Sequence, residues 1–428
     1  MTRGPSRDYR PWLILPLGLA VGMSTAFIPA RVAHATMTLA GDYGRYVTAA
    51  HFLLQGRNPY NQLALVRAMR ADTHLSVVHA AATSDGFVLL PFVMWPVLLL
   101  VNLPFWSSYV VVVVFATVSF GGSVSLIARA LGWRRPWLAA ALACVAWIFV
   151  WGRLIGQLDF ILPVSLVATC FLLARKHNYL AGLALTGIWV EPELTWMAGV
   201  ALIVMLLSDH RALKRALIGF VGASAVLFGI SALVPHGILL DWARGGFIFL
   251  HREGSHEYDL LGLPGLIQVL DTSNYRLYAV TAVPTVVIAA LGVVTAVGSA
   301  VWMRGSKAIA GMPVVEATLW RIFLPVGIWL LFTPYGHPNN AIILIPLVVL
   351  AIGADAIRIA GSAVDVVLLC VIITLAQFFS GTVLFADLMP VATALVLVLV
   401  YRQLRKMEAA ALASLHVGVG GAQTHLAG

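Results

Sequence analysis

The sequence predicts an all-α, polytopic membrane protein, and its composition and patterning are the reasons. Of the 428 residues, 61% are hydrophobic and 11% are charged, which is more apolar side chain than a soluble domain can bury. The apolar residues form repeated runs long enough to cross a bilayer. Inside a bilayer, backbone polar groups need hydrogen-bond partners within their own segment, which favours helices.

The apolar runs predict about twelve transmembrane helices, since each run is close to the length that roughly 30 Å of hydrocarbon requires. The predicted spans are 11–30, 107–128, 137–152, 157–174, 178–190, 194–207, 216–235, 278–302, 314–333, 340–357, 363–381 and 386–401.

One further apolar run, Phe87–Phe105, decides the sidedness of everything after it. If this run were a span, most clusters of basic residues between the later spans would be external, against the positive-inside rule. Pro91, Pro96 and Pro104 also interrupt helical hydrogen bonding in the run. We therefore interpret it as a broken, re-entrant or interfacial segment that stays outside. Both termini are then cytoplasmic, and we expect the chain in a bacterial inner (plasma) membrane with its active or binding surface on the periplasmic or extracellular side.

The chain is expected to form one integral membrane domain, 1–428. Residues 1–235 would be an N-terminal module with a catalytic first external loop, 31–106. Residues 236–407 would add an external loop and C-terminal helices, and 408–428 a disordered tail. The net charge of +9 does not indicate nucleic acid as a partner, because the basic residues cluster in short loops between apolar spans.

Neither a metal site nor a nucleotide site is indicated by the sequence. Cys144, Cys170 and Cys370 all lie inside apolar runs, without metal-binding spacing or a disulfide pattern. No glycine-rich phosphate-binding loop occurs either. We expect no cofactor and no metal.

The stretch Gly41–Tyr60 follows the first predicted span and contains the first candidate site residue, Asp42. After Asp42, apolar residues recur at helical spacing, namely Tyr46, Ala49, Ala50, Leu53 and Leu54. The other faces carry the polar residues Arg45, Thr48, His51 and Gln55. This pattern predicts an amphipathic helix in the membrane interface, ended by Gly56 and by Asn58-Pro59. Asp42 is then either a carboxylate held at headgroup level or an ordinary solvated acid.

Two further polar segments border predicted spans on the external side. The first is Trp151–Phe160, in which Arg153 could bind a phosphate. Alternatively, Gln157 and Asp159 are the polar start of a helix, whose dipole favours the Asp159 carboxylate near the N-terminus. Glu191-Pro192-Glu193 either forms the first turn of a helix or holds sugar hydroxyls or a cation at the mouth of a cleft.

A polar hairpin, Thr333–Asn340, joins two strongly apolar predicted helices and contains His337. A histidine at this place orients a carboxylate, binds a phosphate when protonated or hydrogen-bonds a sugar. The alternative is a solvated loop histidine without a functional role.

These segments, in this order, resemble glycosyltransferase family 87 of the GT-C superfamily, which uses polyprenyl-phosphate sugars. The similar elements are Asp42–Tyr60, Phe87–Phe92 with Pro96, Gly156-Gln157, Ala181–Leu183 with Gly187, and His337. Many family members have Lys-Pro where this chain has Glu191-Pro192. That departure places the donor geometry and the sugar identity in question.

The resemblance implies a GT-C-like fold with external interfacial helices in the first loop. It implies transfer of a sugar, mannose by analogy, from a polyprenyl-phosphate donor to a lipid or glycan acceptor with inversion. Asp42 would be the general base and His337 a second catalytic residue. The remaining candidates would bind donor phosphate or sugar: Arg45, Arg57, Tyr60, Arg153, Gln157, Asp159 and Glu191.

Two rival functions stand beside the transferase. A transporter or lipid flippase commonly has repeated halves and charges near the bilayer midplane. This chain shows no convincing repeat, and Arg321 is the main charge inside a predicted span. A non-catalytic scaffold that retains the fold is the second rival.

Overall fold

The computed structural model describes residues 40–71, 89–145, 152–153, 156–233, 237–253, 263–264, 283–334 and 338–353, with single positions between 394 and 409. Every regular element in these ranges is a helix, and they contain no β-strand. The α-helices, numbered in chain order, are α1 (Gly41–Leu54), α2 (Gln62–Ala71), α3 (Trp95–Leu98), α4 (Phe105–Ala130), α5 (Pro136–Val145), α6 (Ile161–Ala174), α7 (Asn178–Leu185), α8 (Pro192–Leu206), α9 (His210–Leu233), α10 (Ile238–Glu253), α11 (Val283–Gly305), α12 (Lys307–Ala310), α13 (Val314–Phe332) and α14 (Leu344–Gly353). Short 3-10 helices are Pro91–Met94, Thr186–Val190 and Pro338–Ile343.

Four helices in the described ranges are long and apolar enough to cross a membrane, namely α4, α9, α11 and α13. In α13, 72% of the most apolar window is buried, against 11% in α9. Therefore α13 runs through the interior, with Trp320, Phe323 and Leu330 in the core, while α9 presents apolar side chains outward. Apolar surface of this extent suits lipid rather than water, so the structure agrees with an α-helical membrane protein.

Several predicted spans contain shorter helices than expected. The predicted span 157–174 begins as a helix only at Ile161, because the preceding residues form a folded polar segment. The predicted span 178–190 is α7 followed by a 3-10 turn. The predicted spans 11–30 and 363–381, and most of 386–401, lie outside the described residues. The total of about twelve spans stays a prediction.

The run Phe87–Phe105 is broken, as its prolines predict. Within its described part, a 3-10 turn at Pro91–Met94 leads into the four-residue α3, and irregular chain follows up to Pro104. Pro104 then stands at the N-cap of α4 with φ −52° and ψ 139°. A segment interrupted in this way cannot span a bilayer as one helix.

Asp42 lies within a helix whose faces largely match the predicted amphipathic pattern: Tyr46, Ala49, Ala50 and Leu53 are buried, whereas His51 and Gln55 are exposed. Two positions depart from the pattern. Thr48, expected on the polar face, is only 7% exposed, and its hydroxyl donates to the Gly44 carbonyl at 2.8 Å. Leu54, expected on the apolar face, is 61% exposed. Tertiary packing therefore overrides the sequence pattern at these two positions, and the location of α1 in the membrane interface stays a prediction.

The end of α1 has the predicted form. Gly56 adopts a left-handed conformation with φ 67°. The amide of Gly56 donates to the Leu53 carbonyl at 3.0 Å, and the amide of Arg57 donates to the Phe52 carbonyl at 2.8 Å. This pair of hydrogen bonds is a Schellman motif, which satisfies carbonyls at the helix terminus.

Candidate functional site around Asp42

Asp42 lies in the first turn of α1, where a carboxylate is favoured by the helix dipole. Arg45 and Tyr46 follow at the third and fourth positions, so all three side chains share one face of the helix. The Arg45 guanidinium is 3.2 Å from Asp42 Oδ1, with side-chain exposures of 16% and 15%. The ion pair is therefore mostly enclosed by protein, with a small part of each side chain exposed.

A tight turn at Gly156 brings a second segment to this face. The Gly156 amide donates to the Arg153 carbonyl at 3.1 Å, and the Gln157 amide donates to the Gly152 carbonyl at 2.8 Å. Gly156 has φ +83°, and a Cβ added to it would lie 2.5 Å from the Cβ of Tyr43. The turn is another Schellman motif, and it sets Gln157 directly against the N-terminal turn of α1.

The Gln157 side chain bridges Asp42 and Tyr46. Its Nε2 donates to Asp42 Oδ2 at 2.5 Å, and its Oε1 accepts from the Tyr46 hydroxyl at 2.9 Å. The ionised carboxylate has only acceptor atoms, so the amide nitrogen must be the atom that faces it. Arg45 and Gln157 thus occupy different oxygens of Asp42 and fix the carboxylate plane.

Arg153 and Asp159 form an ion pair inside the protein rather than a surface that meets an external phosphate. Arg153 Nη2 contacts Asp159 Oδ1, with side-chain exposures of 6% and 0%. Arg153 also donates to the Gln157 carbonyl, and its guanidinium lies 4.9 Å from the ring centre of Phe160. Burial lowers the pKa of Arg153, and the charge of Asp159 acts in the opposite direction. The pair stabilises the segment that presents Gln157.

Glu191 stands at the N-cap of α8, and Pro192 begins the helix as predicted. The Glu191 carboxylate accepts a hydrogen bond from Asn340 Nδ2, and Asn340 is only 1% exposed. This contact joins α8 to the Pro338–Ile343 turn at the end of the polar hairpin. The sequence predicted a polar role for the hairpin but placed it on His337, which lies outside the described residues.

The negative charge of Glu191 also acts on the Tyr46 phenol, together with the charges of Asp42 and Asp159. The pKa of Tyr46 is raised well above its ordinary value, first by burial and then by the negative charges of Asp42, Glu191 and Asp159, while Arg45 lowers it. Three carboxylates therefore act on one phenol. The phenol stays protonated and serves as a hydrogen-bond donor.

The described contacts of Arg57 and Tyr60 are with residues other than Asp42, Tyr46 and Gln157. The Arg57 guanidinium lies 3.8 Å from the ring centre of Phe52 and is exposed. The Tyr60 hydroxyl donates to the Leu89 carbonyl at 2.6 Å, and burial raises the pKa of Tyr60. Tyr60 therefore has a structural contact with the broken apolar run, while Arg57 is a solvent-facing cation.

The Asn58-Pro59-Tyr60 turn is also held by a distant helix. Asn58 Nδ2 donates to Asp241 Oδ2 of α10 at 2.8 Å, and Asn58 Oδ1 accepts from the Tyr60 amide at 2.8 Å. Sequence reasoning had assigned Asn58 only the ending of α1. The bond to Asp241 joins the C-terminal side of α1 to α10.

Tyr46 and Asn340 are two described residues that the sequence-based site omitted. A signal for Tyr46 was available, because it follows Asp42 by one helical turn and shares its face. For Asn340 the only signal was its position in the polar hairpin. Among the residues that the structure describes, no group of three or more His, Cys, Asp or Glu side chains is arranged to hold a metal ion.

Comparison of the chain with protein-family models, with curated proteins and with solved structures gives no significant match. A functional assignment therefore depends on the geometry around Asp42 and on the motif resemblance.

Proposed function

We propose that this protein is an inverting glycosyltransferase with a GT-C-like fold of about twelve transmembrane helices. It would move a sugar, mannose by analogy, from a polyprenyl-phosphate donor to a lipid or glycan acceptor. Both termini would be cytoplasmic and the reaction external, in a bacterial inner membrane. The resemblance to glycosyltransferase family 87 suggests this class, and the arrangement around Asp42 supports it.

The observation that carries the proposal is the placement of the Asp42 carboxylate. It is fixed by Arg45 at 3.2 Å and by Gln157 at 2.5 Å, yet its side chain remains 15% exposed. A general base needs a fixed orientation and access to the proton it removes. A carboxylate has about four lone-pair sites, so it can accept from a substrate hydroxyl in addition to these donors.

In the proposed reaction, Asp42 accepts the proton of the acceptor hydroxyl. The acceptor oxygen forms a bond to the anomeric carbon of the donor sugar, on the face opposite the phosphate. The bond between that carbon and the phosphate oxygen breaks, and its electron pair leaves with polyprenyl phosphate. The configuration at the anomeric carbon is therefore inverted.

The departing phosphate needs positive charge, since negative charge develops on the oxygen that leaves. Arg45 is in direct contact with Asp42 and is part of the proposed site. Arg57 is exposed and is a second candidate. Arg153 is committed to Asp159 inside the protein, so we assign it a structural role and leave the phosphate to the other two arginines.

Glu191 suits a sugar hydroxyl better than a phosphate, because a carboxylate repels an anion and accepts hydrogen bonds. A carboxylate can accept several hydrogen bonds, so a sugar hydroxyl can join the one from Asn340. With this assignment, Glu191 has a role although many family members have lysine at this position. An acid at this position fits recognition of the sugar, and the proposed cationic partners of the phosphate are Arg45 on α1 and Arg57 just after its end.

The test is transfer of radiolabelled mannose from polyprenyl-phosphate-mannose into lipid and glycan of membranes that contain the full-length protein. We expect Asp42→Asn to lower the transfer rate by about 100-fold or more, the contribution of a positioned general base. Asp209→Asn is the matched control. Asp209 is exposed and caps α9 by accepting from the Ala212 amide at 2.9 Å, and asparagine caps helices equally well.

Control membranes with Asp209→Asn should transfer mannose at the wild-type rate. Equal transfer by wild type and Asp42→Asn would remove the proposed base. A wild-type protein that transfers no mannose above the level of membranes lacking it would contradict the transferase with this donor.

A further inference from the structure

The amide of Gln157 is held at both ends, and only one end touches Asp42. Nε2 donates to Asp42 Oδ2 at 2.5 Å, while Oε1 accepts from the Tyr46 hydroxyl at 2.9 Å. If the amide rotated by half a turn, its oxygen would face the carboxylate oxygen, and two acceptors would repel each other. In the observed orientation the hydroxyl of Tyr46 donates to Oε1 and so anchors the end of the amide that Asp42 does not touch.

Tyr46 is itself firmly placed. The residue is 5% exposed, and it lies on α1 one helical turn after Asp42, so helix geometry fixes the two side chains relative to each other. Gln157 enters from the other segment, where the Gly156 turn fixes its backbone. Phenol, amide and carboxylate therefore close a ring of contacts through the backbone of α1.

The charges around the phenol keep it a donor. Burial and the three neighbouring carboxylates all favour the neutral phenol over the phenolate, so the pKa of Tyr46 is raised. A neutral phenol has one proton to donate, and the structure directs that proton to Gln157 Oε1. The polarity of the chain of hydrogen bonds therefore runs in one direction, from Tyr46 through Gln157 to Asp42.

We propose that Tyr46 is a positioning residue for the general base, acting on Asp42 through the side-chain amide of Gln157. The inference rests on the proposed function, because it assumes that Asp42 removes a proton. Tyr46 is assigned no contact with either substrate. Its hydroxyl holds the end of the amide that Asp42 does not touch, which steadies Nε2 against Asp42 and so the orientation of the carboxylate toward the acceptor.

Tyr46→Phe tests the proposal with the smallest change, since it keeps the ring and removes only the hydroxyl. We expect kcat for mannose transfer to fall about tenfold, the effect of one hydrogen bond of roughly 1.4 kcal/mol, with KM for the polyprenyl-phosphate donor little changed. Tyr179→Phe is the matched control. It removes the hydroxyl of a tyrosine that is 51% exposed on α7 and should leave both constants at wild-type values.

A double-mutant cycle separates positioning from general structural support. If Tyr46 acts through the amide, Tyr46→Phe in a Gln157→Met background has nothing left to orient, and kcat should equal that of Gln157→Met alone. Effects that multiply instead would show that Tyr46 acts independently of Gln157, which would overturn the proposal. Wild-type kcat in Tyr46→Phe would overturn it as well.

Gln157→Glu provides a second variant that leaves Tyr46 intact. The introduced side chain can donate to Asp42 only when its carboxyl is protonated, so kcat should fall as pH rises through the range in which that group ionises. A pH profile parallel to that of wild type would contradict an essential donor at this position. This variant still tests the amide step of the proposal, the donation from position 157 to Asp42, if Tyr46→Phe does not fold.

The two proposals fail in different ways. If Asp42→Asn transfers mannose at the wild-type rate, the proposed base is wrong and the role of Tyr46 falls with it. If Asp42→Asn is inactive and Tyr46→Phe retains wild-type kcat, only the positioning role is wrong. A wild-type protein without transfer activity would remove both.

Discussion

Gly156 and Tyr43 are in direct backbone contact, and this contact joins the two halves of the candidate site. A Cβ added at Gly156 would lie 2.5 Å from the Tyr43 Cβ and 3.0 Å from the Tyr43 amide nitrogen. Tyr43 is the residue after Asp42, and Gly156 is the residue before Gln157. The distance between Asp42 and Gln157 therefore depends on the absence of a side chain at position 156.

Gly156→Ala should separate the two segments and weaken the fold. Alanine in a left-handed backbone conformation would lower the free energy of unfolding by about 1–2 kcal/mol. The overlap of its Cβ with Tyr43 would lower it by roughly 1–3 kcal/mol more. We expect a matching loss in the free energy of unfolding and a large loss of the proposed mannose transfer. The measurements are denaturant unfolding in detergent and the transfer assay.

Gly132→Ala isolates the backbone part of that effect. Gly132 also has a left-handed φ of +70°, but nothing lies within 4 Å of an added Cβ. We expect a loss of only about 1–2 kcal/mol in the free energy of unfolding, with the proposed mannose transfer at the wild-type rate. If Gly132→Ala and Gly156→Ala were equally destabilising, the contact with Tyr43 would have no energetic significance.

The buried pair of Arg153 and Asp159 predicts an asymmetric response to substitution. Arg153→Met leaves the Asp159 carboxylate, which is 0% exposed, without its cation, and should cost about 3–5 kcal/mol in unfolding free energy. Replacing both, as Arg153→Met with Asp159→Leu, removes the uncompensated charge and should restore most of that loss. Chemical denaturation of the single and double variants tests this.

An exposed ion pair supplies the comparison for that prediction. Arg405 and Glu408 are also in contact, at 3.2 Å, but Arg405 is 55% exposed. Arg405→Met should change the unfolding free energy by no more than about 1 kcal/mol. A similar small effect of Arg153→Met would mean that water reaches Asp159 and that the segment before Gln157 is not held by this pair.

Sequence reasoning found the local features of the fold because each has a local cause. Composition and run length identified the helical class, and the three prolines of Phe87–Phe105 identified the break within that run. Gly56 ends α1 in the left-handed conformation expected of it. Pro192 begins α8. Each of these outcomes depends on a few consecutive residues.

Contacts between distant segments could not be predicted in the same way. Asp42 and Gln157 are 115 residues apart in the chain, and Glu191 and Asn340 are 149 apart. No spacing rule indicates which polar loops meet when helices pack. The pairing of Arg153 with Asp159, only 6 residues apart, was within reach of sequence reasoning, because an arginine that precedes an acid across a glycine turn has a partner close by.

Alkaline pH should destabilise the protein through its buried phenols. The pKa values of Tyr46 and Tyr60 are raised in the folded state, mainly by burial. Above pH 10, the ordinary pKa of tyrosine, the unfolded chain releases protons that the folded chain retains. The free energy of unfolding therefore holds below pH 10 and falls above it, by about 1.4 kcal/mol per pH unit for each such group.

Tyr46→Phe should reduce that slope by the contribution of one tyrosine. Below about pH 9 the variant and the wild type should have the same dependence of unfolding free energy on pH, because no phenol ionises in either state. Unfolding measured at several pH values in detergent distinguishes the two ranges. An unchanged slope above about pH 10 would mean that Tyr46 titrates in the folded protein as it does in the unfolded chain.

The C-terminus of α6 offers a stabilising substitution. The amide of Lys176 donates to the Leu173 carbonyl at 2.9 Å and that of His177 to the Leu172 carbonyl at 2.9 Å, which is a Schellman motif with lysine at the left-handed position. Lys176 has φ 63°, whereas Gly56 and Gly132 occupy the same position in two other helices. Glycine avoids the clash of Cβ with the backbone, so Lys176→Gly should raise the unfolding free energy by roughly 1 kcal/mol.

Lys176→Ala separates that backbone effect from the loss of a positive charge at the helix end. Alanine keeps the Cβ and the strained backbone but removes the charge, which costs about 0.3–1 kcal/mol at a C-terminus. We therefore expect Lys176→Ala to be equal to or less stable than wild type, and Lys176→Gly to be more stable than both. Thermal unfolding of the three proteins in one detergent gives the order. If both substitutions stabilised the protein equally, removal of the charge would be the cause and the left-handed backbone would carry no cost.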